Sequence, residues 1–170
     1  MNIRIFIILR RFLLKKTRTK TRMENLMTDY DLKLKVQIML HEGIKYSAYQ
    51  DSLGFLTIGC GRLIDERKGG KLSTDEIMYL LANDISKCKK ELELIDWYLI
   101  QDEVRKGVLV ELSFNMGLTN LLKFHNMILA LKEKDYLKAS AALYDSLWAK
   151  QVQSSRVKDI RYRLEKGQYP

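Results

Sequence analysis

Once the chain passes Asp29, apolar residues recur at helical spacing: Leu32, Val36, Met39 and Leu40 mark one face, and Gly43 supplies a stop. The spacing predicts an amphipathic helix with Asp29 or Asp31 as its cap. Over 46–64 the period changes. Residues 46–49, the turn set Asp51-Ser52-Leu53-Gly54, residues 55–58, Gly59-Cys60-Gly61 and Leu63-Ile64 predict a small antiparallel sheet of two or three strands. A polar loop over 65–71 leads to a second helix. There Ser73 and Glu76 form a capping box, and Ile77, Leu80, Leu81, Ile85 and Leu92 trace one face. From Asp102 onward only helical patterns follow, over 104–116, 120–131, 136–147 and 155–165.

A helix with a small sheet followed by a run of helices defines an α+β chain. Composition agrees: one Pro and nine Gly among 170 residues suit helices better than a sandwich of many turns. At this length the chain holds one domain, or two small lobes sharing a core. With 46% hydrophobic and 30% charged residues it is no disordered tail. No run approaches the roughly 18 apolar residues that a spanning helix needs. Cys60 and Cys88 are too few for a disulfide scaffold and lack metal-ligand spacing, so both are expected as small, partly buried apolar groups.

The net charge of +9 is not spread evenly. Arg4, Arg10, Arg11, Lys15, Lys16, Arg18, Lys20 and Arg22 face no acid within the first 22 residues, whereas the rest of the chain sets 22 basic groups against 21 acidic ones. The basic character belongs to an N-terminal extension, taken here as residues 1–28. Its apolar pieces are interrupted by Arg10-Arg11 and no small-residue cleavage site follows, so it is not read as a cleavable signal. Two readings remain open for it. It is either a disordered or upstream extension ahead of Met23 or Met27, or a helix lying on an anionic membrane surface; a nucleic-acid partner is not expected.

The stretch that carries chemistry begins at His41-Glu42-Gly43 and continues through Tyr49-Gln50-Asp51 and Gly54 to Thr57-Ile58-Gly59-Cys60-Gly61. Glu42 closes a helix and Asp51 sits on a hairpin turn, so a chain folding back through that hairpin can bring two carboxyls close together. Cleavage of a glycosidic bond needs one carboxylic acid to protonate the leaving oxygen and a second carboxylate as nucleophile or as base for a water. A Thr hydroxyl on the adjacent strand can hold that water, and the paired glycines admit close backbone approach. Singly, each residue has a plainer reading: a solvated helix-end acid, an Asp bonding its own turn, a strand-forming Thr. His41 and His125 are expected at the surface or in packing, and Trp97 and Trp148 in the core.

The combined spacing Glu-Gly-x5-Tyr-x-Asp-x2-Gly-x2-Thr-Ile-Gly-x-Gly resembles the bacteriophage-type lysozymes, the endolysins or muramidases of glycoside hydrolase family 24. Ser113-Phe114-Asn115-Met116-Gly117, Phe124, Trp148, Ser155-Arg156, Arg161, Arg163 and Gly167 are similar to later segments of the same family, so the likeness runs from about residue 30 to 168. It implies a lysozyme-like fold over 29–168: a sheet lobe over about 29–72, a linking helix over about 73–94 and a mostly helical lobe over about 95–168, with a glycan groove between. It implies Glu42 as general acid, Asp51 as the carboxylate that activates water or stabilises the oxocarbenium-like transition state, and Thr57 as water holder. Leu63, Phe114 and Asn115 would line the sugar cleft, and Arg156 would orient Glu42. A guanidinium beside Glu42 favours its ionised form, so burial would have to offset the cation in a working acid.

The implied reaction is hydrolysis, with inversion, of the β-1,4 bond between N-acetylmuramic acid and N-acetylglucosamine in peptidoglycan, for host cell lysis by a monomer. No metal or organic cofactor is implied. The enzyme would wait in the host bacterial cytoplasm until released to the wall. The alternative is a non-catalytic peptidoglycan-binding or phage structural module on the same fold. Three departures bear on fine substrate contacts: Arg62 stands where many relatives carry His, Asp159 replaces a basic residue after Arg156, and the loop over 65–72 is shorter than in the longest relatives.

Overall fold

A computed structural model of the protein describes residues 29–170. Expectations placed on residues 1–28 lie outside the described residues. The chain divides into two compact units at Leu72/Ser73, and the architecture is α+β.

The first unit holds helix α1 (Asp29–Glu42), strands β1 (Lys45–Gln50), β2 (Leu56–Gly59) and β3 (Arg62–Leu63), and a 3-10 turn at Glu66–Lys68. Helix α1 ends where the Gly43 amide donates to the Met39 carbonyl at 3.1 Å. Helical backbone already runs through Asp29 and Asp31, so neither is the cap expected of it. The strands form one antiparallel sheet in the order β1-β2-β3, with a register irregularity between Lys45 and Tyr49. Tyr49 pairs with Thr57, and Thr57 with Leu63. Directly opposed residues share a sheet face, so these three side chains form a row across all three strands; a slip of one residue would turn Thr57 to the other face.

Among the described residues of this unit, only Thr57 and Asp65 are buried, and both are polar. A piece this small cannot close an apolar core around itself. Its order therefore leans on hydrogen bonds, and those of Asp65 matter most for the site.

The second unit contains α2 (Thr74–Leu92), α3 (Asp96–Leu99), α4 (Glu103–Met116), α5 (Leu118–Leu121), α6 (His125–Lys132), α7 (Tyr136–Tyr144), α8 (Leu147–Gln151) and α9 (Ser154–Lys166). The capping box opens α2: Ser73 Oγ accepts from the Glu76 amide at 3.3 Å, and Glu76 Oε2 from the Ser73 amide at 2.7 Å. This helix packs on α4 and α5 through its C-terminal half. Leu92 is fully buried and Ile85 half-buried, whereas Ile77 and Leu80, predicted on the same apolar face, are exposed. The core gathers Val108, Leu109 and Leu112 of α4, Met127 and Leu131 of α6, Leu143 of α7, and Ile160 and Leu164 of α9, all fully buried. Burial of each such side chain is worth about 1.5–3 kcal/mol. Trp97 and Trp148 are buried, as expected; Cys60 and Cys88 are free and half-buried.

Two predicted helices are each divided in the structure. The pattern over 120–131 becomes α5 and α6, because Leu121 and Met127 are both fully buried. At about 100° per residue a continuous helix would point them some 120° apart, so the chain breaks at Phe124 to bury both. The pattern over 136–147 ends at Tyr144, since Ser146 caps α8 by accepting the Ala149 amide at 3.2 Å. No periodic pattern predicts an element over 95–101, yet α3 lies there and buries Trp97 and Tyr98; four residues are too few to carry a helical period. Among the described residues, no helix is long and apolar enough to cross a membrane.

Candidate active site

Four residues singled out by sequence line one depression in the first unit: Glu42 from the end of α1, Asp51 from the β1–β2 turn, Thr57 from β2 and Leu63 from β3. Its volume is about 530 Å³, and Tyr49, Phe55 and Lys68 complete much of its wall. The row Tyr49–Thr57–Leu63 forms the sheet side, so strand register sets which side chains the depression receives.

Asp51 has two duties. Its Oδ1 accepts from the amides of Leu53 and Phe55, both at 2.9 Å, and its own amide donates to the Phe55 carbonyl at 2.9 Å. The plain reading of Asp51 as a turn former is therefore correct, and it still leaves Oδ2 without a donor among the described residues of the unit. One oxygen is anchored by the turn and the other is not.

Glu42 is exposed, and among the described residues of its unit no side chain donates to its carboxylate. Its Oε2 lies 3.7 Å from the place a Cβ on Gly61 would occupy. Gly61 has φ +79, a conformation that side-chain-bearing residues rarely adopt, so glycine there both forms the turn and leaves room for the carboxylate. Thr57 is buried, and its Oγ1 donates to the Phe55 carbonyl at 3.2 Å. With its proton committed, the hydroxyl faces any water as an acceptor.

The remaining predicted residues belong to the helical unit. Phe114 and Asn115 are both exposed on the last turn of α4, and Asn115 Oδ1 accepts from Trp148 Nε1 at 2.8 Å. Arg156 on α9 has its Nε 3.8 Å from Glu111 Oε1. Glu111 also receives Arg163 Nη2 at 2.6 Å, and Arg163 Nε donates to Asp159 at 2.8 Å, which gives the unexpected acid at 159 a partner on its own helix. Arg62 Nη2 donates to the Lys71 carbonyl at 2.9 Å. His41 and His125 are exposed, with His41 Nε2 2.7 Å from Gln37 Nε2. Among the described residues, no group of three His, Cys, Asp or Glu side chains could hold a metal ion.

Sequence reasoning passed over Asp65, Arg67 and Lys68 as a polar loop. Asp65 is buried beside the turn that carries Asp51 and accepts four hydrogen bonds: Leu56 N at 2.9 Å, and Arg67 N, Nε and Nη2 at 3.1, 2.9 and 2.7 Å. A local signal existed, since Asp65 caps the 3-10 turn; the bond to Leu56 spans nine positions and has none. The Arg67 side chain, then the Leu56 amide, hold the Asp65 carboxyl well below the usual carboxylate range, against the burial that would raise it. A depressed native pKa stabilises the fold above the unfolded value, about 3.9, and that contribution is lost as pH falls through the native value. The stability difference between the parent and Asp65→Asn should hold steady from pH 7 to about 5 and shrink below about 4, as read by thermal unfolding at each pH.

Comparison with known proteins agrees with the geometry. The phage lysozyme family model matches residues 39–166, well over half of the chain. A probable T4-type lysozyme 1 from Dictyostelium discoideum is 28% identical over 73% of this chain and 90% of its own length, and a probable T4-type lysozyme 2 from the same organism gives the same figures. The pre-baseplate central spike protein of Enterobacteria phage T4 is 26% identical over 68% of this chain and 25% of its own length. This chain belongs to the phage lysozyme family. It has the lysozyme-like α+β fold and lysozyme-type glycoside hydrolase function, with peptidoglycan as the substrate that function implies.

Proposed function

We propose that the protein hydrolyses the β-1,4 bond between N-acetylmuramic acid and N-acetylglucosamine in bacterial peptidoglycan, with inversion. The observation that carries this reading is the shared depression: Glu42, Asp51 and Thr57 come from a helix end, a turn and a strand to line one concavity. Glu42 gives its proton to the glycosidic oxygen as the bond to the anomeric carbon breaks. A water held by Thr57 attacks that carbon from the opposite face, and Asp51 takes the water's proton through the oxygen its turn leaves free. The new carbon–oxygen bond replaces the old one on the other face, so the anomeric configuration inverts. Leu63 offers an apolar wall; the family resemblance assigns Phe114 and Asn115 to further sugars and Arg156 to orienting Glu42.

Proton NMR of the first reducing end formed should reveal the α anomer from a β bond. A β anomer would reject the water-activating role of Asp51 in favour of a covalent intermediate. Asp51→Asn should lower hydrolysis by at least about 10²-fold, since general acid–base catalysis typically contributes 10²–10⁴, while pull-down on purified walls still captures the variant.

The biological role that fits is host cell lysis, the enzyme accumulating in the bacterial cytoplasm before its release to the wall. Similarity to a phage spike protein favours one other reading, a wall-binding structural module. Wall binding without new reducing ends would select that reading.

A further inference from the structure

The buried carboxylate of Asp65 is held in the unit that carries Asp51, and it bonds Leu56, the residue next to the Phe55 that closes the Asp51 turn, and Arg67. Phe55 and Leu56 are neighbours, and their amides donate to different aspartates: Phe55 N to Asp51 Oδ1 and Leu56 N to Asp65 Oδ2, each at 2.9 Å. Arg67 closes the arrangement. Its guanidinium bonds both Asp65 oxygens, reaches the Gly54 carbonyl at 3.1 Å through Nη2, and lies 5.3 Å from the Phe55 ring centroid. The three consecutive residues Gly54, Phe55 and Leu56 are therefore gripped from one side by Asp65 and Arg67. From the other side, Phe55 meets Asp51 through both its amide and its carbonyl. Arg's planar fork suits this task, because a single group can satisfy a carboxylate and a carbonyl at fixed spacing.

We propose that Asp65 and Arg67 are a positioning pair that fixes the Asp51 carboxylate for water activation. Neither touches the reacting atoms; both act through the backbone that Asp51 bonds. The inference rests on the reading of Asp51 as the water-activating carboxylate. Catalytic geometry is sensitive on this scale, since a displacement of about 1 Å at a distance from the chemistry can cost on the order of 10²-fold in rate.

The test uses the full chain and a soluble glycan prepared from peptidoglycan, with kcat and KM measured for the parent, Arg67→Ala, Arg67→Lys, Asp65→Asn and Asp51→Asn. Arg67→Ala should lower kcat by about 10- to 100-fold with KM within about twofold. The Arg67 side chain is 68% exposed, so free guanidinium ion can enter the vacated place, and tens of millimolar should restore part of kcat where methylammonium does not. Arg67→Lys should recover less than guanidinium does, because its donors sit on one nitrogen and cannot reproduce the planar fork that spans Asp65 and the Gly54 carbonyl. Asp65→Asn should follow Arg67→Ala; if it fails to fold, the two Arg67 variants decide. Parental kcat in Arg67→Ala, a loss that guanidinium leaves unchanged, or a raised KM with kcat kept would each overturn the proposal, the last by making Arg67 a substrate contact. Parental kcat in Asp51→Asn would remove the underlying reading, a result separable from failure of the clamp alone.

Discussion

Replacing Glu42 by Gln should lower the release of reducing ends from purified peptidoglycan by at least about 10²-fold and leave the far-UV circular dichroism unchanged. The amide keeps the size and reach of the side chain but has no proton acidic enough for a departing alkoxide, and general acid catalysis contributes typically 10²–10⁴ in rate. The fold should tolerate the change. Glu42 is exposed at the last position of α1, accepts no side-chain hydrogen bond from the described residues of its unit, and touches the space beside Gly61 without closing it. Substitutions at such positions usually stay within about 0.5 kcal/mol of the parent. The variant therefore separates chemistry from structure, and parental hydrolysis by it would remove Glu42 from the mechanism.

Gly70→Ala should have the opposite profile, with its effect on the fold. A Cβ at this position would lie 2.5 Å from the Asp65 amide nitrogen, 2.6 Å from the Ile64 carbonyl carbon and 2.8 Å from the Asp65 carbonyl oxygen. All three are backbone atoms, so no side chain can rotate away. The Gly70 amide also donates to that Asp65 carbonyl at 2.9 Å, which makes the close approach part of the turn. Forcing a methyl group in should cost about 1–3 kcal/mol. The strain falls where Ile64 and Asp65 amides bond the Leu56 carbonyl, so hydrogen exchange at these amides should accelerate while amides of the helical core keep their protection. Unchanged exchange at Ile64 and Asp65 would show that the loop relaxes around the methyl group without loss.

Much of this was legible because local codes decided it. The Ser73–Glu76 box, the Gly43 stop and the Asp51 turn are each written within about four residues and hold in the structure. The spacing around Glu42, Asp51 and Thr57 was legible for the same reason, since one helix end and one hairpin bring these three to a single depression. Other features depend on partners distant in sequence. The break between α5 and α6 comes from the need to bury Leu121 and Met127 together, and no residue in between announces it. Ile77 and Leu80 carry the helical period yet remain exposed, because only the later turns of α2 pack on α4 and α5. Asp65 is the clearest case. The residues that follow it are charged and read as a solvated loop, whereas it is buried and accepts a hydrogen bond from Leu56, nine positions back in the chain.

The central claim is a muramidase, and product chemistry tests it most directly. Purified peptidoglycan digested by the full-length protein, then reduced and hydrolysed, should yield the reduced form of N-acetylmuramic acid as the new terminal sugar. Reduced N-acetylglucosamine at the new ends, or no new reducing ends at all, would contradict it.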